Sequence, residues 1–129
     1  MDTSETILAG VNKLANTVKQ TLGTKGRTIL FNDENNRTHI TKDGVTVARH
    51  IMSEDNYENL VITVLREASL KTMKSSGDGT SSTIILAQYL VTEGLKLIDE
   101  GVSFYELSKQ IDHAVKDVIE YITNNSIKI

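Results

Sequence analysis

The stretch Gly77-Asp78-Gly79-Thr80-Ser81-Ser82-Thr83 does most to limit what this chain can become, because it ends one long apolar periodicity and opens the next. Glycine reaches backbone conformations closed to other residues and lets a ligand approach the main chain. The hydroxyls that follow cap helices well. A helix start offers unpaired N–H groups and the positive end of the dipole, which together favour an anion. Asp78 is the odd member. A carboxylate repels phosphate unless a cation lies between them, and Mg²⁺ takes one or two carboxylates together with phosphate oxygens. Taken alone, the same residues also read as punctuation between helices, a glycine stop followed by an Asp or Thr cap.

The periodicities on either side predict a mainly α chain. Asp2 caps a first helix with Glu5 in the capping-box position, and Ile7, Leu8, Val11, Leu14, Ala15, Val18 and Leu22 form its stripe up to Gly23. The period then changes. Thr28-Ile29-Leu30-Phe31 and Thr38-His39-Ile40-Thr41 read as two strands about a polar turn. A lone two-stranded hairpin is marginal in water, so this one must pack on a helix or pair its edge with another chain. Residues Val45 to Ile51 read as a short helix. A second long helix starts at Ser53-Glu54-Asp55 and runs to Gly77, with Tyr57, Leu60, Val61, Val64, Leu65, Ala68 and Met73 on one side.

The third long helix, from Thr80 to Gly101, carries apolar residues on more than one face and is expected to be central. Gly94 inside it costs about 1 kcal/mol relative to alanine, which predicts a close helix contact there. A fourth starts with Ser103 and Glu106 as a capping box, with Val102 and Leu107 as a hydrophobic staple, and ends at Asn124-Asn125. Its stripe is Leu107, Ile111, Ala114, Val115, Val118, Ile119 and Ile122. The sum is four long helices and one β-hairpin.

Composition removes several classes of function. The 129 residues suit one domain with a real core, and there is no cysteine, which excludes disulfides, thiol catalysis and Cys-ligated zinc. The net charge of −3 comes without a block of like charges, which argues against a nucleic-acid surface. No apolar run approaches the roughly 20 residues that span a bilayer, and the N-terminus lacks signal-peptide character. The expectation is a soluble, cytoplasmic protein with no membrane partner. His39, His50 and His113 are scattered without metal-ligand spacing and read as surface or edge residues. Tyr57, Tyr89, Tyr105 and Tyr121 read as packing at the edge of the core.

Three polar turns combine glycine with a charge: Gly23–Gly26, Lys42-Asp43-Gly44 and Gly77–Thr83. Long helices put alternate loops at one end of a bundle. If these three converge, they supply backbone N–H groups, one cation and two carboxylates, a set suited to a Mg-nucleotide. No Gly-x-x-x-x-Gly-Lys-Ser/Thr sequence is present, so a P-loop fold is not the route to it.

Three stretches occur in order and in register: Thr21-Leu22-Gly23-Thr24-Lys25-Gly26-Arg27, then Ile40-Thr41-Lys42-Asp43-Gly44-Val45, then Gly77-Asp78-Gly79-Thr80. Leu86-Ala87-Gln88 and Thr92-Glu93-Gly94-Leu95-Lys96 agree as well. Together they resemble the N-terminal half of the equatorial domain of a group I (GroEL-type) chaperonin, over nearly the whole of residues 1–129. The resemblance implies a multihelical equatorial portion that binds ATP. Leu22, Gly23 and Thr24 would lie along the nucleotide and Lys42 beside its phosphates. Asp78 would hold Mg²⁺, and Gly79, Thr80, Ser81 and Ser82 would take phosphate oxygens. Asp43 would sit near the γ-phosphate and assist hydrolysis. A K⁺ ion would lie near the backbone of Thr21 and Lys42.

The resemblance also implies partners. Other subunits of a homo-oligomeric ring would pair with the hairpin, while unfolded clients and a co-chaperonin would engage intermediate and apical domains that these residues do not include. The family's hinge aspartate, which activates the attacking water, is likewise outside them, so this stretch alone is expected to be inactive in hydrolysis. Two departures are local. The family usually has proline where Thr24 stands, and threonine at Ser81 and Ser82, where the hydroxyl is kept. A different class of function fits the same chain: a truncated, non-hydrolysing interaction module that associates with chaperonin rings.

Overall fold

The computed structural model describes residues 2–129, which form five helices and one antiparallel hairpin: α1 (Thr3–Thr21), β1 (Ile29–Asn32), β2 (Thr38–Thr41), α2 (Gly44–His50), α3 (Asn56–Ser76), α4 (Thr80–Asp99) and α5 (Phe104–Asn125). None of the described helices is long and apolar enough to cross a membrane. The chain divides into two units at Thr92 and Glu93, within α4.

In the first unit, α1 packs along α3. The stripe of α1 turns Val11, Leu14, Ala15 and Val18 into a core completed by Ile29, Val47, Ala48, Ile51, Ile62, Leu65 and Ile84. Gly10 sets the spacing of the two helices, since a Cβ on it would lie 2.8 Å from Val61 Cβ and 2.9 Å from the Glu58 carbonyl oxygen. The N-terminal part of α4 joins this core through Ile84 and the buried Thr80 and Gln88. Gln88 Nε2 donates to Asn12 Oδ1 at 2.6 Å and Asn16 Oδ1 at 3.0 Å, which ties α4 to α1. The opposite side of the same segment leaves Leu86 and Tyr89 exposed, so α4 is not surrounded on all faces as its composition predicts.

Helix ends follow local chemistry. Asp2 caps α1 by accepting from Ser4 N–H, and Glu5 makes no capping bond among the described residues. Asp55 caps α3 through Tyr57 and Glu58 N–H, and Gly77 ends it in the left-handed conformation at φ 80°. The short helix expected over Val45 to Ile51 is α2, Gly44–His50, with Asp43 as its N-cap and Ile51 as its extended C-cap.

The hairpin pairs Ile29 with Thr41 and Asn32 with Thr38. It folds back on α2: the His39 ring stacks between Phe31 at 5.1 Å and His50 at 4.8 Å. Asp33, at the turn, accepts from Asn35 and Arg37 N–H through Oδ1 and meets His39 Nε2 at 2.9 Å through Oδ2. The bond to His39, followed by that from Arg37, holds the Asp33 carboxyl down at about 2. Arg66 of α3 braces the C-terminal end of α2 by donating to the Ala48 and Ile51 carbonyls. His39 and His50 are therefore neighbours, which corrects the reading of the histidines as scattered.

The second unit is a helical turn. Gly101, at φ 106°, breaks the chain after α4, and Ser103 Oγ accepts from Glu106 N–H to start α5. Glu106 itself accepts from Gln110, so only one half of the expected capping box forms. A Cβ on Gly94 would lie 3.3 Å from Leu107 Cδ2, which is the close contact its position predicts. No residue of α5 is buried. The four tyrosines are all exposed, Tyr57 and Tyr89 included, so none packs at the edge of a core.

Candidate functional site

The C-terminal end of α1 and the N-terminal ends of α2 and α4 meet at one point. Gly44, the first residue of α2, marks it: a Cβ there would overlap the Ser81 hydroxyl and stand 3.2 Å from Thr21 Oγ1 and 3.6 Å from Val18 Cγ1. The missing side chain of Gly44 lets the three segments touch with the Ser81 hydroxyl in this position. Thr21 is held in place by its hydroxyl, which donates to the Val18 carbonyl at 2.7 Å. The turns 42–44 and 77–83 thus enter this junction through Gly44 and Ser81, and the Gly23–Gly26 turn adjoins it through Thr21, the last residue of α1.

The α1 end supplies main chain. Leu22 is the half-exposed C-cap, and its N–H goes to Lys19. Gly23 takes φ 75°, which turns the chain out of the helix, and its carbonyl accepts from Gly26 N–H at 3.0 Å. Thr24 is exposed in that turn.

The α2 end supplies charge. Lys42 is exposed at the bend before α2, and its ammonium has no partner among the described residues. Asp43 is engaged through both carboxylate oxygens. Its carboxylate accepts from Val45 N–H at 3.1 Å, Thr46 N–H at 3.3 Å and Thr46 Oγ1 at 2.9 Å. Three donors on one carboxylate make it the structural cap of α2.

The α4 end supplies N–H groups. Gly77 and Gly79 both lie at positive φ, 80° and 101°, so the chain turns on either side of the exposed Asp78. The Asp78 carboxylate is exposed and accepts only from its neighbour's Gly79 N–H, at 2.6 Å. The first helical bond of α4 is Thr83 N–H to the Gly79 carbonyl, at 2.9 Å. The N–H groups of Thr80, Ser81 and Ser82 therefore stay unpaired among the described residues, as the geometry of any helix start requires. The Ser82 side chain is exposed and that of Ser81 half-buried. Thr80 Oγ1 is buried without a hydrogen-bond partner.

Those donors suit a bound polyanion, and of the two carboxylates at the site Asp78 has its second oxygen uncommitted among the described residues. Mg²⁺ takes oxygen ligands and keeps much of its water, so one protein carboxylate beside phosphate oxygens is a sufficient protein share. The residues present fit a Mg-nucleotide on those grounds. A second grouping escaped sequence reasoning. Asp33, His39 and His50 each bring one ligand atom to within 4.8 Å of the others. Only the fold-back of the hairpin onto α2 joins them, and no spacing in the chain could have signalled it. The family model described as TCP-1/cpn60 chaperonin family matches residues 14–129, from the middle of α1 to the end of the chain.

Proposed function

The chain belongs to the TCP-1/cpn60 chaperonin family, and from that premise we propose that residues 1–129 are the N-terminal half of a group I equatorial domain that binds Mg-ATP. The observation that carries this is the junction of Thr21, Gly44 and Ser81, which draws three separate polar turns to one place.

In this reading, Leu22, Gly23 and Thr24 line the nucleotide, and Lys42 offsets phosphate charge. The N–H groups and hydroxyls from Gly79 to Ser82 hold phosphate oxygens fixed at the positive end of α4. Asp78 would hold Mg²⁺, which would supply neutralisation of phosphate charge; K⁺ would lie near the backbone of Thr21 and Lys42. The pre-aimed N–H groups do their work by standing still, since fixed dipoles need no reorganisation as charge builds. The whole protein is an ATP-dependent folding chaperonin of the cytoplasm, with ring neighbours against its hairpin. Clients and a co-chaperonin are engaged by other parts of that protein.

A second reading is favoured by Asp43. Its carboxylate is spent on the α2 cap, which suits a module that binds nucleotide or ring partners without turning ATP over. Two measurements test the nucleotide site and the absence of turnover that both readings expect of these residues alone. Mg-ATP titration by calorimetry should show binding that falls at least tenfold in Asp78→Ala; equal and negligible binding in both proteins would reduce the motif to a cap. Phosphate release from the 129-residue chain should be at background, and turnover abolished by Asp43→Ala would refute the non-hydrolysing reading.

A further inference from the structure

We infer that Asp33, His39 and His50 form a binding site for a nitrogen-seeking divalent cation, with Zn²⁺ as its type, that clasps the hairpin to the end of α2. The three ligand atoms already lie within 4.8 Å of one another. They come from three different elements: the turn after β1, the middle of β2 and the last residue of α2.

The donor set decides the metal. Two imidazoles and a carboxylate are zinc ligands, and three protein groups with water in the fourth place make an open zinc site. Mg²⁺ and Ca²⁺ prefer oxygen throughout, so this grouping is not a second copy of the Asp78 site. Metal–ligand bonds of about 2.0–2.2 Å put tetrahedral ligand atoms roughly 3.3 Å apart. The 2.9 Å between Asp33 and His39 need open only slightly. The widest separation must close, and His50, the exposed member, would do so by leaving its stack on His39. Its ring now lies within 9° of parallel to that of His39, so it must tilt to share an ion.

Asp33 is held ready for that role. One oxygen is fixed by the N–H groups of Asn35 and Arg37, both at 2.9 Å, which leaves the other aimed at His39. Ligands anchored by such bonds lose little freedom on binding a metal. Arg37, Arg49 and Arg66 border the same hollow and oppose a cation there, with Glu34 partly offsetting them. Arg66 is committed to the Ala48 and Ile51 carbonyls, which fixes where its charge sits. That basic border makes an anion the competing ligand.

The test is Zn²⁺ titration of the 129-residue chain against a chromophoric chelator, with Co²⁺ absorption as a report on ligand type. One ion per chain is expected. Affinity should fall about tenfold or more in His50→Ala and in Asp33→Asn, and stay unchanged in His113→Ala. Amide exchange across residues 29–41 should slow when the metal is added. Because Asp33 also organises the turn, His50→Ala decides the matter, with a metal-free melt to establish that it folds. Equal Zn²⁺ affinity with and without His50 overturns the assignment. So does the absence of Zn²⁺ binding, or inorganic phosphate binding that needs His50 while Zn²⁺ does not.

Discussion

Gly44 stands against Ser81 so closely that a methyl group on the glycine would overlap the serine hydroxyl. The contact joins the start of α2 to the start of α4, at the point where phosphate is proposed to bind. Thr21 closes the third side, 3.2 Å from the same Cβ position. Gly44→Ala should act on binding more than on folding. Ser81 Oγ can rotate away, so the stability cost should stay near the low end of overpacking effects, about 1 kcal/mol. The displaced hydroxyl and the shifted helix start should cost about tenfold in Mg-ATP affinity, about 1.4 kcal/mol. Calorimetry and a thermal melt on the same sample separate the two effects, and a large melt change with intact binding would reverse the assignment.

The two aspartates of the junction should part ways. Asp43 caps α2 with three hydrogen bonds, whereas Asp78 accepts one from its neighbour. Asp43→Ala should therefore destabilise the fold by about 1–2 kcal/mol, the usual loss for an N-cap. Asp78→Ala should leave the denaturation midpoint nearly unchanged and remove the Mg²⁺ dependence of nucleotide binding. Urea melts of both variants check this; equal midpoints would mean that the α2 cap contributes nothing.

Glycines on the two packed helices should also differ. A Cβ on Gly10 would meet Val61 Cβ at 2.8 Å and the Glu58 carbonyl at 2.9 Å, and a backbone carbonyl cannot turn aside. Gly10→Ala must spread α1 from α3 and should cost about 2–3 kcal/mol. Gly94 faces only the tip of Leu107, at 3.3 Å. There the gain in helix propensity, about 1 kcal/mol, should offset the crowding, and Gly94→Ala should be neutral or stabilising. Chemical denaturation of the pair gives the difference directly.

How much of this was legible in the chain follows from what is local. Caps at Asp55 and Ser103, the left-handed Gly77, the hairpin and the helix after Asp43 all come from chemistry within a few residues. That the three turns could converge was open to sequence reading, because long helices return alternate loops to one end, but their meeting at Gly44 was not. Residues that meet through tertiary folding were not. His39 reaches His50 only because the hairpin bends back, and Gly10 looks like any interior glycine until α3 lies on it. Periodicity marks which side of a helix is apolar and says nothing of whether that side is covered. The exposed tyrosines and the bare stripe of α5 show the difference.

Gln88 offers a test of buried polarity. Its Nε2 serves Asn12 and Asn16, while its Oε1 is buried with no partner among the described residues. Gln88→Ala removes both bonds and leaves a cavity, so it should destabilise by about 2 kcal/mol. Gln88→Leu fills the same space and removes the orphan oxygen. Asn12 is only partly buried and Asn16 is exposed, so both can turn to water. The leucine variant should lie within about 1 kcal/mol of the original. If it falls as far as alanine, the Gln88–Asn pair is worth more than a hydrogen bond to water.

The α5 stripe sets the behaviour of the 129-residue chain in solution. Val115, Val118, Ile119 and Ile122 recur at helical spacing, and all four are about half exposed or more. None of the residues of α5 is buried. A contiguous apolar face of this kind is rare on a stable monomer and marks a surface that seeks cover. Leu86 and Tyr89 add a second uncovered patch on α4. The chain should therefore self-associate at micromolar concentration, with binding strengthened by kosmotropic salt as apolar burial requires. Replacing Val115 and Ile119 together by lysine puts two charges on the stripe without touching the core of the first unit. Light scattering should then show a shift towards monomer with the α1–α3 melt unchanged. A wild-type chain that scatters as a single monomeric species at those concentrations would refute the prediction.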